Sequence, residues 1–197
     1  MKKIDYEKCL SRMAPIESDI RDRAGKIHRD VNQFYEFKPY SYHLNQVAAC
    51  VTGYLSSVVS AEEDILPVLF AAYFHDSIED ARLTYNDVKK IAAEYMEQEQ
   101  AFLAAEIVYA LTNEKGRNRK ERANDKYYEG IRTTPYAPLV KACDRLANYS
   151  FAKEHSDHMV KCYAKEMDEF ISKITVETAD QRYRIPDELL AALKASD

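Results

Sequence analysis

Ile65-Leu66-Pro67-Val68-Leu69-Phe70-Ala71-Ala72-Tyr73-Phe74 is a run with almost no polar face, and His75 and Asp76 follow it directly. An amphipathic surface helix shows water one polar side, whereas a segment apolar nearly all round must be enclosed. The run therefore predicts a central helix beginning near Ala61, with other elements packed around it. Its end then lies inside the molecule, and that is where His75 and Asp76 stand.

Outward from this segment the apolar residues keep a helical period. Val47, Val51, Tyr54, Leu55 and Val58 recur at steps of three and four and predict a helix over about 42–59. Thr84 followed by Asp87 reads as an N-terminal capping pair for a helix running toward Met96, and Gln98 to Leu111 forms another amphipathic stretch. Thr112 to Asn118 breaks the period and predicts a loop. Beyond it, helices are expected at about 120–131, 135–152, 155–174 and 186–195, the second and last opening near Pro135 and Pro186. With four Gly and six Pro in 197 residues, the composition also favours helices. The expected fold is all-α, a compact single-domain helical bundle spanning 1–197.

Hydrophobic residues make up 46% and charged residues 31%, the balance of a folding globular chain. The formal net charge of -5 supplies no overall field for holding nucleic acid or an anionic membrane, so neither is an expected partner. No apolar stretch has the length of a secretory signal or a membrane span, which makes a cytoplasmic location the default expectation. Cys9, Cys50, Cys143 and Cys162 are scattered without a CxxC pair and are expected to be reduced core residues.

An unpaired carboxylate at a buried helix end is costly unless a cation or hydrogen bonds satisfy it. A divalent metal would satisfy Asp76. Neighbouring helical residues point about 100° apart, so His75 and Asp76 share an ion only if other helices supply the remaining ligands. His43 and Asp144, each in or beside an amphipathic stretch, are the natural partners. Two His and two Asp form a nitrogen and oxygen shell suited to Mn²⁺, Fe²⁺ or Zn²⁺. Glu79 and Asp80 come four residues after His75 and Asp76 and repeat their faces if the helix continues. They form either a catalytic pair that handles protons or a solvated acidic helix end.

On the opposite wall, Lys141, Asp144, Arg145 and Asn148 share neighbouring faces of one predicted helix, so cations and an amide flank a metal ligand. That pattern suits a phosphorylated substrate. Arg119 and Arg122, within the cationic run Arg117 to Arg122, belong either to a substrate-facing basic lid or to a solvated charge run. His28, His155 and His158 read as surface histidines. Of the 15 tyrosines, Tyr40 and Tyr42 stand out for their position beside His43.

Three blocks in order resemble the HD-domain metal phosphohydrolases, and within them the hydrolase domain of the Rel/SpoT type and the small stand-alone alarmone hydrolases. Pro39-Tyr40-Ser41-Tyr42-His43 resembles the first-ligand block, Phe74-His75-Asp76-Ser77-Ile78-Glu79-Asp80 the HD block, and Val140 to Asn148 the last-ligand block. The motif-bearing core covers about 28–151, with C-terminal helices over 155–195. The resemblance implies one Mn²⁺-like ion on His43, His75, Asp76 and Asp144, catalytic roles for Glu79 and Asp80, and a nucleotide contact at Asn148. Leu44 stands where the alarmone hydrolases usually have Pro. Asn32-Gln33-Phe34-Tyr35 stands where they place a basic pair against the guanine nucleotide. The expected activity is hydrolysis of a phosphate or pyrophosphate ester of a nucleotide, with Glu79 or Asp80 handling the proton. The alternative is a binding module of the same fold that senses a nucleotide without turning it over.

Overall fold

The apolar run is helix α3 (Ile65–Phe74), and every one of its residues is buried. A short 3₁₀ turn, Glu62–Asp64, leads into it. Around it, in the computed structural model, lie α1 (Tyr6–Asp30), α2 (Ser41–Val58), α4 (Tyr85–Ala92) and α5 (Gln98–Leu111). Then follow α6 (Arg119–Arg122), α7 (Asp125–Thr133), α8 (Ala137–His155), α9 (Asp157–Ile174) and α10 (Asp187–Lys194). The structure describes residues 4–113 and 116–195, with the backbone alone at 119 and 120. Helix α3 packs on α1, α2 and α5, and α8 lies across α2 and α9. The result is the compact all-α fold expected from the sequence. No described helix is long and apolar enough to cross a membrane.

Local signals set most of the boundaries. Thr84 and Asp87 form the capping box of α4, with side chain and backbone exchanged in both directions. That helix ends at Ala92, earlier than its pattern suggests, and the chain continues in turns through Tyr95. One helix expected at about 120–131 is divided into α6 and α7, because Asn124 accepts a 3.0 Å hydrogen bond from the Tyr127 amide and starts a new helix. Helix α1 is the largest element the periodicity does not announce. Its buried residues are only Cys9, Ile20, Ala24 and His28, a sparse stripe on a polar helix.

Between α1 and α2 the chain makes a small antiparallel hairpin, β1 (Phe34–Tyr35) and β2 (Lys38–Pro39), pairing Phe34 with Pro39 and Tyr35 with Lys38. Asn32 (φ 57°) before it and Glu36 (φ 53°) at its tip take the left-handed conformation without glycine. Asn tolerates this through its short side chain, whereas Glu36 holds it at a cost. The hairpin carries Tyr35 back toward the beginning of α2.

Candidate metal centre

Three helix ends or faces converge at one buried point. His43 lies in the first turn of α2, His75 caps α3, and Asp144 lies mid-way along α8; they are 2%, 2% and 6% exposed. Their ligand atoms all fall within 4.8 Å of one another, so the group can hold a metal ion. The two imidazole Nε2 atoms face each other at 3.2 Å. Asp144 Oδ1 is 3.3 Å from His43 Nε2 and 3.8 Å from His75 Nε2. Asp76 joins from the far side of α3's end, its Oδ2 at 2.9 Å from His75 Nε2 and 3.6 Å from His43 Nε2.

The donor set fits a divalent cation. Ligands held about 2.1 Å from a common ion sit roughly 3.0–3.4 Å apart in octahedral or tetrahedral arrangements, and the observed spacings of 2.9–3.8 Å straddle that range. His75 Nδ1 donates to the Ala72 carbonyl at 2.9 Å, since a carbonyl only accepts. That fixes the tautomer of the neutral ring and leaves its Nε2 lone pair directed at His43. Two facing lone pairs repel unless a proton or a cation lies between them.

The electrostatics follow from the crowding. Burial alone pulls the His43 imidazolium down, but hydrogen bonds and charge from Asp144 and Asp76 outweigh it and push its pKa up to about 9. Burial likewise opposes the charged form of His75, and Asp76 reverses it. The Asp76 carboxyl, raised by burial, is drawn well below its usual range by the two histidines, and that of Asp144 by Lys141 and the histidines.

A second layer orients Asp144. Lys141 Nζ donates to its Oδ2 at 2.8 Å and Asn148 Nδ2 to its Oδ1 at 2.6 Å. Tyr35 donates to Asn148 Oδ1 at 2.7 Å and stacks on His43, ring centroids 4.6 Å apart. Lys141 and Asn148, expected as substrate contacts, thus both grip Asp144. Arg145 points elsewhere: its guanidinium lies 3.4 Å from Glu166 and over the rings of Phe170 (4.2 Å) and Tyr163 (5.0 Å).

The acidic pair divides. Helix α3 stops at Phe74, and residues 75–80 continue as hydrogen-bonded turns rather than the continuous helix that would repeat two faces. The 2.8 Å bond from the Asp80 amide to the Asp76 carbonyl keeps Asp80 close beneath the site. There Tyr40 OH bridges Asp76 Oδ2 (2.6 Å) and Asp80 Oδ2 (2.8 Å). A phenol has one proton to give, so only one of these contacts is its donation. Asp80 is raised toward its protonated form by burial and by the charges of Asp76 and Glu79, with the Tyr40 hydrogen bond opposing. Glu79 is held from another direction, by Asn113 Nδ2 at 2.8 Å and by Arg122, whose Nη1 is 3.6 Å away. Arg117 pairs with Glu121 at 3.4 Å and its side chain is 92% exposed, while the Arg119 side chain lies outside the described residues.

Two further expectations need correcting. His28 is not a surface residue: it is 0% exposed, stacked on Tyr40 with centroids 4.3 Å apart, because the last turn of α1 faces the start of α2. Among the described residues neither of its ring nitrogens has a hydrogen-bond partner, and burial lowers its pKa to about 4. The four cysteines are free thiols, but only Cys9 and Cys143 are buried. His155 and His158 are exposed. Tyr35 and Phe151, both close to the centre, were not singled out by spacing or charge; the aromatic run Phe34-Tyr35-Glu36-Phe37 just ahead of His43 is the signal that marks the first.

A cavity of about 500 Å³ opens on Asp144, lined by Lys141, Arg145 and Asn148 from α8, with Tyr163, Glu166 and Phe170 from α9 facing them. The centre therefore has a charged, solvent-reachable side. Comparison with known proteins adds nothing to this geometry: no family model matches the chain, and no curated protein matches it.

Proposed function

We propose that this chain is a metal-dependent phosphohydrolase of the HD type, acting on a phosphate or pyrophosphate ester of a nucleotide. The observation that carries the proposal is the convergence of His43, His75, Asp76 and Asp144 from three separate segments at a buried point beside a cavity containing Lys141 and Arg145. The mixed nitrogen and oxygen donors favour Mn²⁺, or Fe²⁺ or Zn²⁺, over ions that prefer thiolates. When bound, such an ion supplies Lewis-acid stabilisation of charge on a phosphoryl oxygen.

The chain's own groups supply the rest. Lys141, paired with Asp144, and Arg145, paired with Glu166, line the cavity wall where a phosphate would sit. Lys141 and Asn148 hold Asp144 in one orientation. Asp80, raised toward protonation and joined to Asp76 through Tyr40, is the group suited to give a proton to the leaving oxygen. Glu79, tied to Asn113 and Arg122, is suited to orienting the attacking water. The stretch Asn32 to Tyr35 has no cation, which favours nucleotides other than guanosine tetraphosphate.

The test is release of phosphate or pyrophosphate from a panel of nucleotides by protein loaded with Mn²⁺, Fe²⁺ or Zn²⁺. Turnover lost by at least about a hundredfold in Asp144→Ala is expected. Nucleotide binding without turnover would favour the sensing module instead, and no release with Asp144→Ala indistinguishable from the unaltered chain would refute the proposal.

A further inference from the structure

The four thiols of the chain have unlike neighbours. Cys9 meets Glu62, and Cys162 Sγ lies 3.7 Å from His158 Nε2, whereas Cys50 and Cys143 meet each other. The helices that carry this pair explain the meeting. At about 100° per residue, His43, Gln46 and Cys50 share one stripe of α2, and Cys143, Leu146, Ala147 and Ser150 share one stripe of α8. The two helices pack on each other, and all of these residues except Cys143 line a single cavity of about 280 Å³. Packed helices lie about 8–10 Å axis to axis, close enough for facing cysteines to reach the Cβ separation of about 4 Å that a disulfide spans.

The two thiols differ in what reaches them. Cys50 is half-buried and lines the cavity, while Cys143 is 0% exposed behind it. Their contact draws the Cys50 thiol below its ordinary value against the effect of burial, and burial followed by the same contact raises Cys143. The thiolate is the nucleophile in oxidation chemistry, so the reachable sulfur is also the more reactive one. The cavity has ample room for hydrogen peroxide, which is little larger than a water at about 30 Å³.

We propose that Cys50 and Cys143 are a redox modification site, in which hydrogen peroxide entering the cavity oxidises Cys50 and Cys143 then closes a disulfide between α2 and α8. In the first step the Cys50 sulfur bonds to one peroxide oxygen and the O–O bond breaks. The other oxygen leaves as hydroxide and takes up the proton the thiol lost, giving a sulfenic acid and a water. In the second, the Cys143 sulfur bonds to the Cys50 sulfur and the S–O bond breaks, the oxygen leaving as water with the Cys143 proton. Two thiols and one peroxide thus become one disulfide and two waters, with two electrons passing from sulfur to oxygen. The bond would tie together the helices that carry His43 and Asp144, and Cys143 directly precedes Asp144 in the chain. The proposal does not depend on the hydrolase reading.

The experiment treats the folded full chain with a single equivalent of hydrogen peroxide, blocks remaining thiols with iodoacetamide in denaturant, and maps peptides by mass spectrometry without reduction. A Cys50–Cys143 crosslink, lighter by two hydrogens and reversed by dithiothreitol, is expected. Cys143→Ala should leave a Cys50 sulfenic acid that dimedone captures, and Cys50→Ala should leave Cys143 open to iodoacetamide after the same treatment. The crosslink joins residues far apart in the chain, so the oxidised protein should have a higher urea midpoint than the reduced one. Absence of the crosslink in the unaltered chain, a measurement that needs no variant, overturns the proposal. So does a dimedone adduct on Cys143 in the absence of Cys50, or a urea midpoint that falls on oxidation, since the bond would then form at the expense of the fold.

Discussion

Asp144, a candidate metal ligand, has both of its oxygens committed already, one to Lys141 and the other to Asn148. Such outer partners fix a carboxylate's orientation, and losing one typically weakens metal binding by about 10- to 100-fold. Asn148→Ala, which also frees the Tyr35 hydroxyl, should show that loss in Mn²⁺ titrations with the fold unchanged; an affinity equal to that of the unaltered chain would reduce Asn148 to packing. His28 is the opposite case, a buried imidazole with no hydrogen-bond partner among the described residues. Its pKa is lowered to about 4 by burial, against about 6.5 unfolded, so the unfolded chain binds the proton first as pH falls. Stability from this residue is full above about 6.5 and is lost progressively as pH drops toward 4, on the order of 3 kcal/mol in total. Urea titrations of His28→Phe, which keeps the stack on Tyr40, should have a flatter acid limb than the unaltered chain. Identical limbs would mean that another group titrates there.

Among the elements, α3 shows why the centre of the fold was legible. All ten of its residues point into other helices, a condition that only an unbroken apolar run meets, and the run ends where the site begins. Leu69, 0% exposed, should therefore cost about 2–5 kcal/mol when replaced by Ala, read as a lower urea midpoint at an unchanged slope. A loss under about 1 kcal/mol would mean that the helix is not enclosed. Helix α1 and the hairpin were not legible for reasons equally physical. A long polar helix burying Cys9, Ile20, Ala24 and His28 leaves too thin a stripe to see, and a hairpin of two-residue strands has no period at all. His43, His75, Asp76 and Asp144 were visible because His and Asp placed in or beside apolar stretches have few other reasons to be there. The division between Asp80 and Glu79 was not visible, since it depends on α3 giving way to turns after Phe74. Nor could spacing reveal that Lys141 and Asn148 fold back on Asp144.

At the scale of the molecule, the centre joins α2, the end of α3 and α8, three elements that pack on one another. An ion held by all three contributes its binding free energy to the fold, roughly 2.7 kcal/mol at a hundredfold excess over Kd. The competing occupant is a proton. His43, raised to about 9 by Asp144 and Asp76 over the opposing effect of burial, keeps that proton through neutral pH. For the metal-free protein, a folded pKa above the unfolded value of about 6.5 gives stability that is complete below 6.5 and disappears as pH climbs through 9. The ion needs the neutral ring, so each binding event below that pH expels the proton, and affinity should tighten by up to about tenfold per pH unit. Two opposite slopes follow for one protein. In a chelator the melting temperature should fall between pH 6.5 and 8.5, while the increment produced by a fixed Mn²⁺ concentration should grow over the same interval. Differential scanning calorimetry at three pH values in that window measures both. An increment independent of pH, or one that survives undiminished in Asp144→Ala, would mean that the ion binds elsewhere and that the four side chains are held together by their own charges alone.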